Sequence, residues 1–265
     1  MEYLFYFFIF FFGVTIGSFL NVLIDRLPQG KKITGRSVCD YCHHALSWYD
    51  LIPIISFFLL RGRCRYCSKK INLQYPLVEI LTGFMFFFVF LTNVDSYQKI
   101  NSWQNWLKII SLYGIISCFI IIFFSDIKYQ LISDYVLLAC FFFSFLFNLT
   151  NLNQFKQFLT NFIISGLIVA FPIWLIYFLS KEKAMGLGDV YIAAILGFLL
   201  GWQKGFLALY FSFVLGGIIS LFLIIFRRKG LKSKIAFGPF LVIGALLMLF
   251  WGEDIFYWIV KFYFY

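Results

Sequence analysis

The chain has 265 residues, of which 62% are hydrophobic, 23% aromatic and 13% charged. A soluble domain carries about 25% charged and roughly 45–50% apolar residues, so a water-soluble globule is excluded. The apolar excess comes in long blocks rather than short alternating segments, which excludes a β-barrel, and the net charge of +10 requires no nucleic acid, because membrane topology and anionic lipid account for it.

A helix needs about 20 apolar residues to cross a bilayer. The sequence therefore predicts an all-α polytopic membrane protein with eight spans: residues 3–24, 76–93, 107–125, 134–149, 157–179, 189–201, 205–226 and 238–251. The first block lacks a basic n-region and a small-residue cleavage site, so it reads as a retained span rather than a signal peptide. Three regions follow: a first transmembrane helix (1–24), a loop domain (25–75) and a transmembrane core (76–265).

Charge orients the map. Segments 25–75, 126–133, 180–188 and 227–237 hold all but five of the 22 Lys and Arg residues; the five are Lys99, Lys108, Lys156, Lys204 and Lys261. Basic loops stay cytoplasmic, so the loop domain is expected inside and both termini outside.

The loop domain contains Cys39-Asp-Tyr-Cys42 and Cys64-Arg-Tyr-Cys67. Two C-x2-C pairs can surround a tetrahedral Zn²⁺, each pair forming one knuckle. Disulfides are disfavoured on a reducing, cytoplasmic side. A site closed by four thiolates leaves no open position for water, so the metal is expected to be structural. His43 and His44 follow Cys42 directly and read as surface residues. The apolar stretch 51–60 is too short to span and is expected to lie in the interface or dip in re-entrantly. Cys118 and Cys140 fall inside spans and receive no role.

Acidic residues near membrane depth are few: Glu79, Asp126, Asp134 and Asp189. Ionisable groups there are costly and are functional candidates by default. The third span runs inward and the sixth starts inside, so topology brings Asp126 and Asp189 to the same cytoplasmic lip. Two such carboxylates can share a proton. One acts as general base on water while the other, protonated, polarises a carbonyl. The structural alternative for Asp189 is a helix N-cap, and Asp134 reads most simply as one. Asp126 stands near a helix C-terminus, where the dipole disfavours an anion. On that ground Asp189 is the expected base and Asp126 the expected proton donor. Gly186 and Gly188 are either loop punctuation or clearance for a substrate backbone. Glu79 is either a functional acid or an interhelical partner of Arg26 or Asn21. Gly13 and Gly17 form a G-x-x-x-G expected to pack helices.

These residues resemble the type IV prepilin peptidases, over nearly the whole chain and in order. "GSFLNVLIDRLP" (17–28) is similar to the hallmark at the end of the first span, and "SWYDLIPIISFFLLRGR" (47–63) lies between the Cys pairs as in the family's zinc loop. "YPLVEILTG" (75–83), "SDIKYQLISD" (125–134), "MGLGDV" (185–190) and "FGPFL" (237–241) follow. The resemblance implies cleavage of the basic leader of prepilins and pseudopilins at the cytoplasmic face of the bacterial inner membrane. It further implies N-methylation of the new terminus with S-adenosylmethionine, for which Glu79 is the candidate to hold the cofactor or the new amino terminus. The catalytic pair falls on Asp126 and Asp189, the zinc ligands on Cys39, Cys42, Cys64 and Cys67. The sequence departs from the family pattern at Ser133, commonly proline, and at Tyr191, commonly lysine. A peptidase without methylation is the nearest alternative. A transporter or scaffold would carry a polar path through the span centres, which are almost purely apolar here. The sequence is silent on oligomeric state.

Overall fold

The computed structural model describes residues 2–93, 103–150, 155–183, 185–226 and 236–264. Lys99, Arg227, Arg228, Lys229, Lys232 and Lys234, which entered the charge map, lie outside the described residues. Eight α-helices are found among the described residues: α1 Glu2–Arg26, α2 Ile55–Leu59, α3 Gln74–Asn93, α4 Trp103–Tyr129, α5 Asp134–Leu149, α6 Phe155–Ser180, α7 Leu187–Ile225 and α8 Gly238–Phe264. No strand occurs among the described residues, only two isolated antiparallel bridges in the loop domain. The all-α class expected from the sequence is what is observed.

Six helices, α1, α3, α4, α6, α7 and α8, are long and apolar enough to cross a membrane, and α5 is a shorter apolar helix. The helices expected at 189–201 and 205–226 are the two arms of α7, two helices joined at a kink; at 39 residues together they are far longer than one crossing requires. Gly201 breaks the run with φ 78° and ψ 168°, a conformation open in practice to glycine alone.

The chain forms two compact units, Met1–Ile121 and Ile122–Tyr265. In the first, α1 and α3 pack antiparallel along small residues. A Cβ on Gly13 would come within 2.9 Å of Gly83 Cα, and one on Gly17 within 2.7 Å of Glu79 Cα. The G-x-x-x-G is thus a packing seam, as expected. Gly13→Leu should force α1 off α3; overpacking of this kind costs roughly 1–3 kcal/mol. The expected result is a lower melting temperature for the purified protein in detergent.

In the second unit, α6, α7 and α8 pack around aromatic contacts. Phe162 and Phe198 stack at 4.8 Å between centroids. Asn148 on α5 donates to the Phe198 carbonyl at 2.9 Å, tying α5 to α7. The outward apolar residues of α6, such as Ile164, Leu167, Phe171 and Phe178, remain exposed. That surface suits lipid rather than water.

The loop between α1 and α3 is organised by polar contacts rather than by a core. The Arg26 guanidinium donates to the carbonyls of Lys32, Ile33, Thr34, Gly35 and Arg36. A 3-10 helix at Trp48–Leu51 leads through a bend and a turn into α2, leaving Leu51, Ile55, Phe58 and Leu59 exposed.

Candidate active site and metal centre

Asp126 lies in the last turn of α4, which ends where Gln130 takes φ 53°. It is 6% exposed, and its Oδ2 accepts the Gly238 N–H at 2.9 Å. Gly238 opens α8, so this carboxylate satisfies an orphan donor at the positive end of another helix. That explains how an acid is tolerated at the unfavourable end of α4. A Cβ on Gly238 would lie 2.6 Å from Asp126 Oδ2, so only glycine allows this approach without displacement.

Asp189 is 9% exposed and occupies the third position of α7. The N-cap is Gly186, not Asp189. The Asp189 Oδ2 accepts the Gly186 N–H at 3.2 Å, the reach-back of a capping box. Asp134 is likewise the first helical residue of α5, with Ser133 as its N-cap. Asp126 and Asp189 lie within electrostatic range of each other. Both therefore stand at helix N-termini and take one backbone N–H each. The dipole argument that made Asp126 the proton donor loses its force, because α8 offsets α4. Beside Gly188, Ile132 stands 3.1 Å from where a Cβ would be, whereas Gly186 has no heavy atom nearer than 3.8 Å to that point.

The four loop cysteines converge. Their Sγ atoms all lie within 4.8 Å of one another, and Cys39 and Cys67 are 3.9 Å apart. Tetrahedral Zn–S bonds of about 2.3 Å place sulfurs roughly 3.8 Å apart, so the donor set fits zinc. The two knuckles are built alike. Cys39 N–H donates to His44 O and His43 N–H to Cys39 O; Cys64 N–H donates to Lys69 O and Ser68 N–H to Cys64 O. His43 and Ser68, each four residues beyond the first Cys of its knuckle, have φ of 55° and 56°. The His43 and His44 residues are exposed, and the His44 ring packs on Tyr66 instead. Burial pushes the Cys39 thiol up, but the N–H groups of Cys42 and Tyr41 outweigh it and bring it down to about 7. The Lys69 N–H pulls the Cys67 thiol down, but burial and the neighbouring sulfurs push it up to about 11. A bound dication would favour the thiolate form of all four.

Asp50 ties the 3-10 turn to the second knuckle. It accepts from Arg65 Nε at 2.8 Å, the Tyr66 hydroxyl at 3.1 Å and the Ser47 N–H at 3.3 Å. Burial raises its carboxyl, but these donors outweigh that and hold it below the usual range. Sequence reading missed this contact, since Asp50 and Arg65 have no motif spacing.

Glu79 on α3 is 7% exposed. Its Oε2 accepts the Ile54 N–H at 2.7 Å, with the Ser18 hydroxyl beside it. Neither structural partner considered from the sequence holds it: Arg26 is spent on loop carbonyls, and Asn21 Nδ2 donates to Tyr75 O at 3.0 Å.

Residues 11–93 match the model of the bacterial peptidase A24 N-terminal domain, and residues 113–221 that of the type IV leader peptidase family. Several proteins called prepilin leader peptidase/N-methyltransferase are similar along nearly the whole chain. The one from Aeromonas hydrophila is 30% identical, over 97% of this chain and 94% of its own. That from Legionella pneumophila is 29% identical over 94% and 92%, and that from Pseudomonas aeruginosa 26% over 92% and 89%. No solved structure matches. With a relative of that identity and coverage, the chain belongs to the type IV leader peptidase family.

Proposed function

We propose that this chain is a membrane aspartic endopeptidase that removes the basic leader of prepilins and pseudopilins, then N-methylates the new terminus with S-adenosylmethionine. The observation that carries the reading is the buried pair Asp126 and Asp189, each anchored by a backbone N–H at a helix N-terminus, in a chain of this family. One carboxylate takes a proton from water, whose oxygen attacks the scissile carbonyl. The other gives its proton to the carbonyl oxygen. Collapse of the tetrahedral species breaks the C–N bond, and the leaving nitrogen takes a proton from the pair. The two aspartates titrate as one unit. Gly186, open on its Cβ side, gives the substrate backbone room to approach Asp189, whereas the space beside Gly188 is taken by Ile132.

The topology follows from charge: both arms of α7 cross the bilayer, the active site lies at the cytoplasmic face of the inner membrane, and both termini lie outside. Regions 1–24, 25–75 and 76–265 then act as first span, zinc-binding loop domain associated with methyl transfer, and peptidase core. Cys39, Cys42, Cys64 and Cys67 would hold a structural Zn²⁺. When bound, S-adenosylmethionine supplies an electrophilic methyl group; Glu79 would hold a cationic amine.

The test incubates purified enzyme with a prepilin and S-adenosylmethionine carrying a labelled methyl. Leader loss by mass together with label in the mature chain supports the reading. Intact prepilin overturns it, and cleavage without label removes methyl transfer. Gly238→Ala should lower the initial cleavage rate by about 10²-fold, since an ångström-scale displacement of a reacting group has that effect. Unchanged cleavage by this variant would separate the Gly238 contact from catalysis.

A further inference from the structure

Among the described residues three buried side-chain atoms lack a hydrogen-bond partner: Asn21 Oδ1, Gln74 Nε2 and Tyr113 Oη. Tyr113 stacks on Phe86 elsewhere in the unit. The other two lie at one end of the seam between α1 and α3. Asn21 is 4% exposed, and its Nδ2 already serves the Tyr75 carbonyl, which leaves Oδ1 as a bare acceptor. Asn21 and Ser18 share a face of α1 at i, i+3 spacing. The Ser18 hydroxyl lies beside Glu79, whose carboxylate forms no ion pair among the described residues. Asn21 faces Tyr75 and Gly17 faces Glu79, so an amide oxygen and a carboxylate stand about one helical turn apart along a buried seam, with fewer donors than they can accept. An unmet buried acceptor carries a penalty unless something fills it.

The lid over this corner is itself unusual. Ile55 N–H donates to Pro53 O at 2.6 Å, closing a γ-turn centred on Ile54 with φ 62° and ψ −54°. A β-branched residue there is strained. The Ile54 N–H is held by Glu79. The carbonyls of Ile52 and Ile54 are held by the N–H groups of Ser56 and Phe58, so the Glu79 carboxylate is the side-chain anchor of a strained turn and can be drawn away when a better donor arrives.

We propose that Glu79, Asn21 and Ser18 form a binding site for a primary ammonium group, with Gln74 Nε2 available to an adjacent carbonyl or carboxylate oxygen and the Ile54 turn as its lid. An ammonium brings three donors and no acceptor, which matches the groups present. Two molecules in the reaction carry this chemistry: the amino-acid end of S-adenosylmethionine, and the N-terminal residue of the cleaved pilin. The inference rests on the methyl-transfer reading above.

The test uses the full-length enzyme in detergent. Equilibrium dialysis measures labelled S-adenosylmethionine and its analogue with hydroxyl in place of the amino group. Fluorescence anisotropy measures a mature-pilin N-terminal peptide, free or acetylated. Parent, Glu79→Gln and Asn21→Ser are compared, with melting curves as the fold check. Loss of a charge-assisted contact should weaken one free-amine ligand about tenfold or more in Glu79→Gln. The amine-blocked form of that ligand should bind parent and variant alike. Whichever ligand responds is the source of the ammonium. If Glu79→Gln fails to fold, the same comparison on Asn21→Ser decides. Equal binding of both free-amine ligands by parent and folded variants overturns this inference alone. A parent that binds neither ligand overturns methyl transfer and the inference with it.

Discussion

Asp126→Asn and Asp189→Asn should each slow leader cleavage by at least about 10³-fold, within the range expected for losing a group that moves the proton. The substitution is isosteric, and the side-chain oxygen of Asn still accepts the N–H from Gly238 or Gly186. Packing and helix ends are therefore preserved, and the melting temperature should stay near that of the parent. What disappears is the ability to take or give a proton at the scissile carbonyl. Rates of leader loss, followed by mass spectrometry on a purified prepilin, measure this. A variant with normal kinetics would remove its aspartate from the mechanism.

Removing the loop metal should have the second large effect. The loop domain has few buried residues and depends on the cysteine cluster, the Arg26 cage and the Asp50–Arg65 contact. A structural four-thiolate zinc contributes about 10–16 kcal/mol of apparent binding energy in small metal-folded domains. The parent should contain zinc by atomic absorption, and Cys64→Ser should not. The variant loop should become sensitive to trypsin at Arg61, Arg63 and Arg65. Methyl transfer should fall further than leader cleavage, because the loop's Ile54 N–H contacts Glu79 while both aspartates lie in the other unit. Zinc-free parent with full methyl transfer would contradict this.

The parts legible in the sequence are those with local spacing. The C-x2-C pairs announced a cluster because each knuckle is a five-residue turn, and the apolar blocks announced the helices because length is the bilayer's own requirement. Gly13 and Gly17 announced a seam by their four-residue interval. Long-range compensation left no such trace. Asp126 is stabilised by the N–H of Gly238, 112 residues away, and no feature of either segment alone reveals the pairing. The same holds for Glu79 and Ile54, where the obvious charged partner, Arg26, serves its own loop. Gly201 is one glycine within a long apolar run, and its positive φ is invisible until the backbone is traced. Asp189 was legible as a helix-start residue but not its exact register, since capping by the third residue and by the N-cap look alike in sequence.

The account stands most directly on the two aspartates acting as one device. Asp126→Asn, Asp189→Asn and the double variant should be compared for leader cleavage with saturating prepilin. If the pair is a unit, the double variant is no slower than the slower single variant. Independent effects that multiply in the double variant, or a single variant that cleaves at the parent rate, would contradict it.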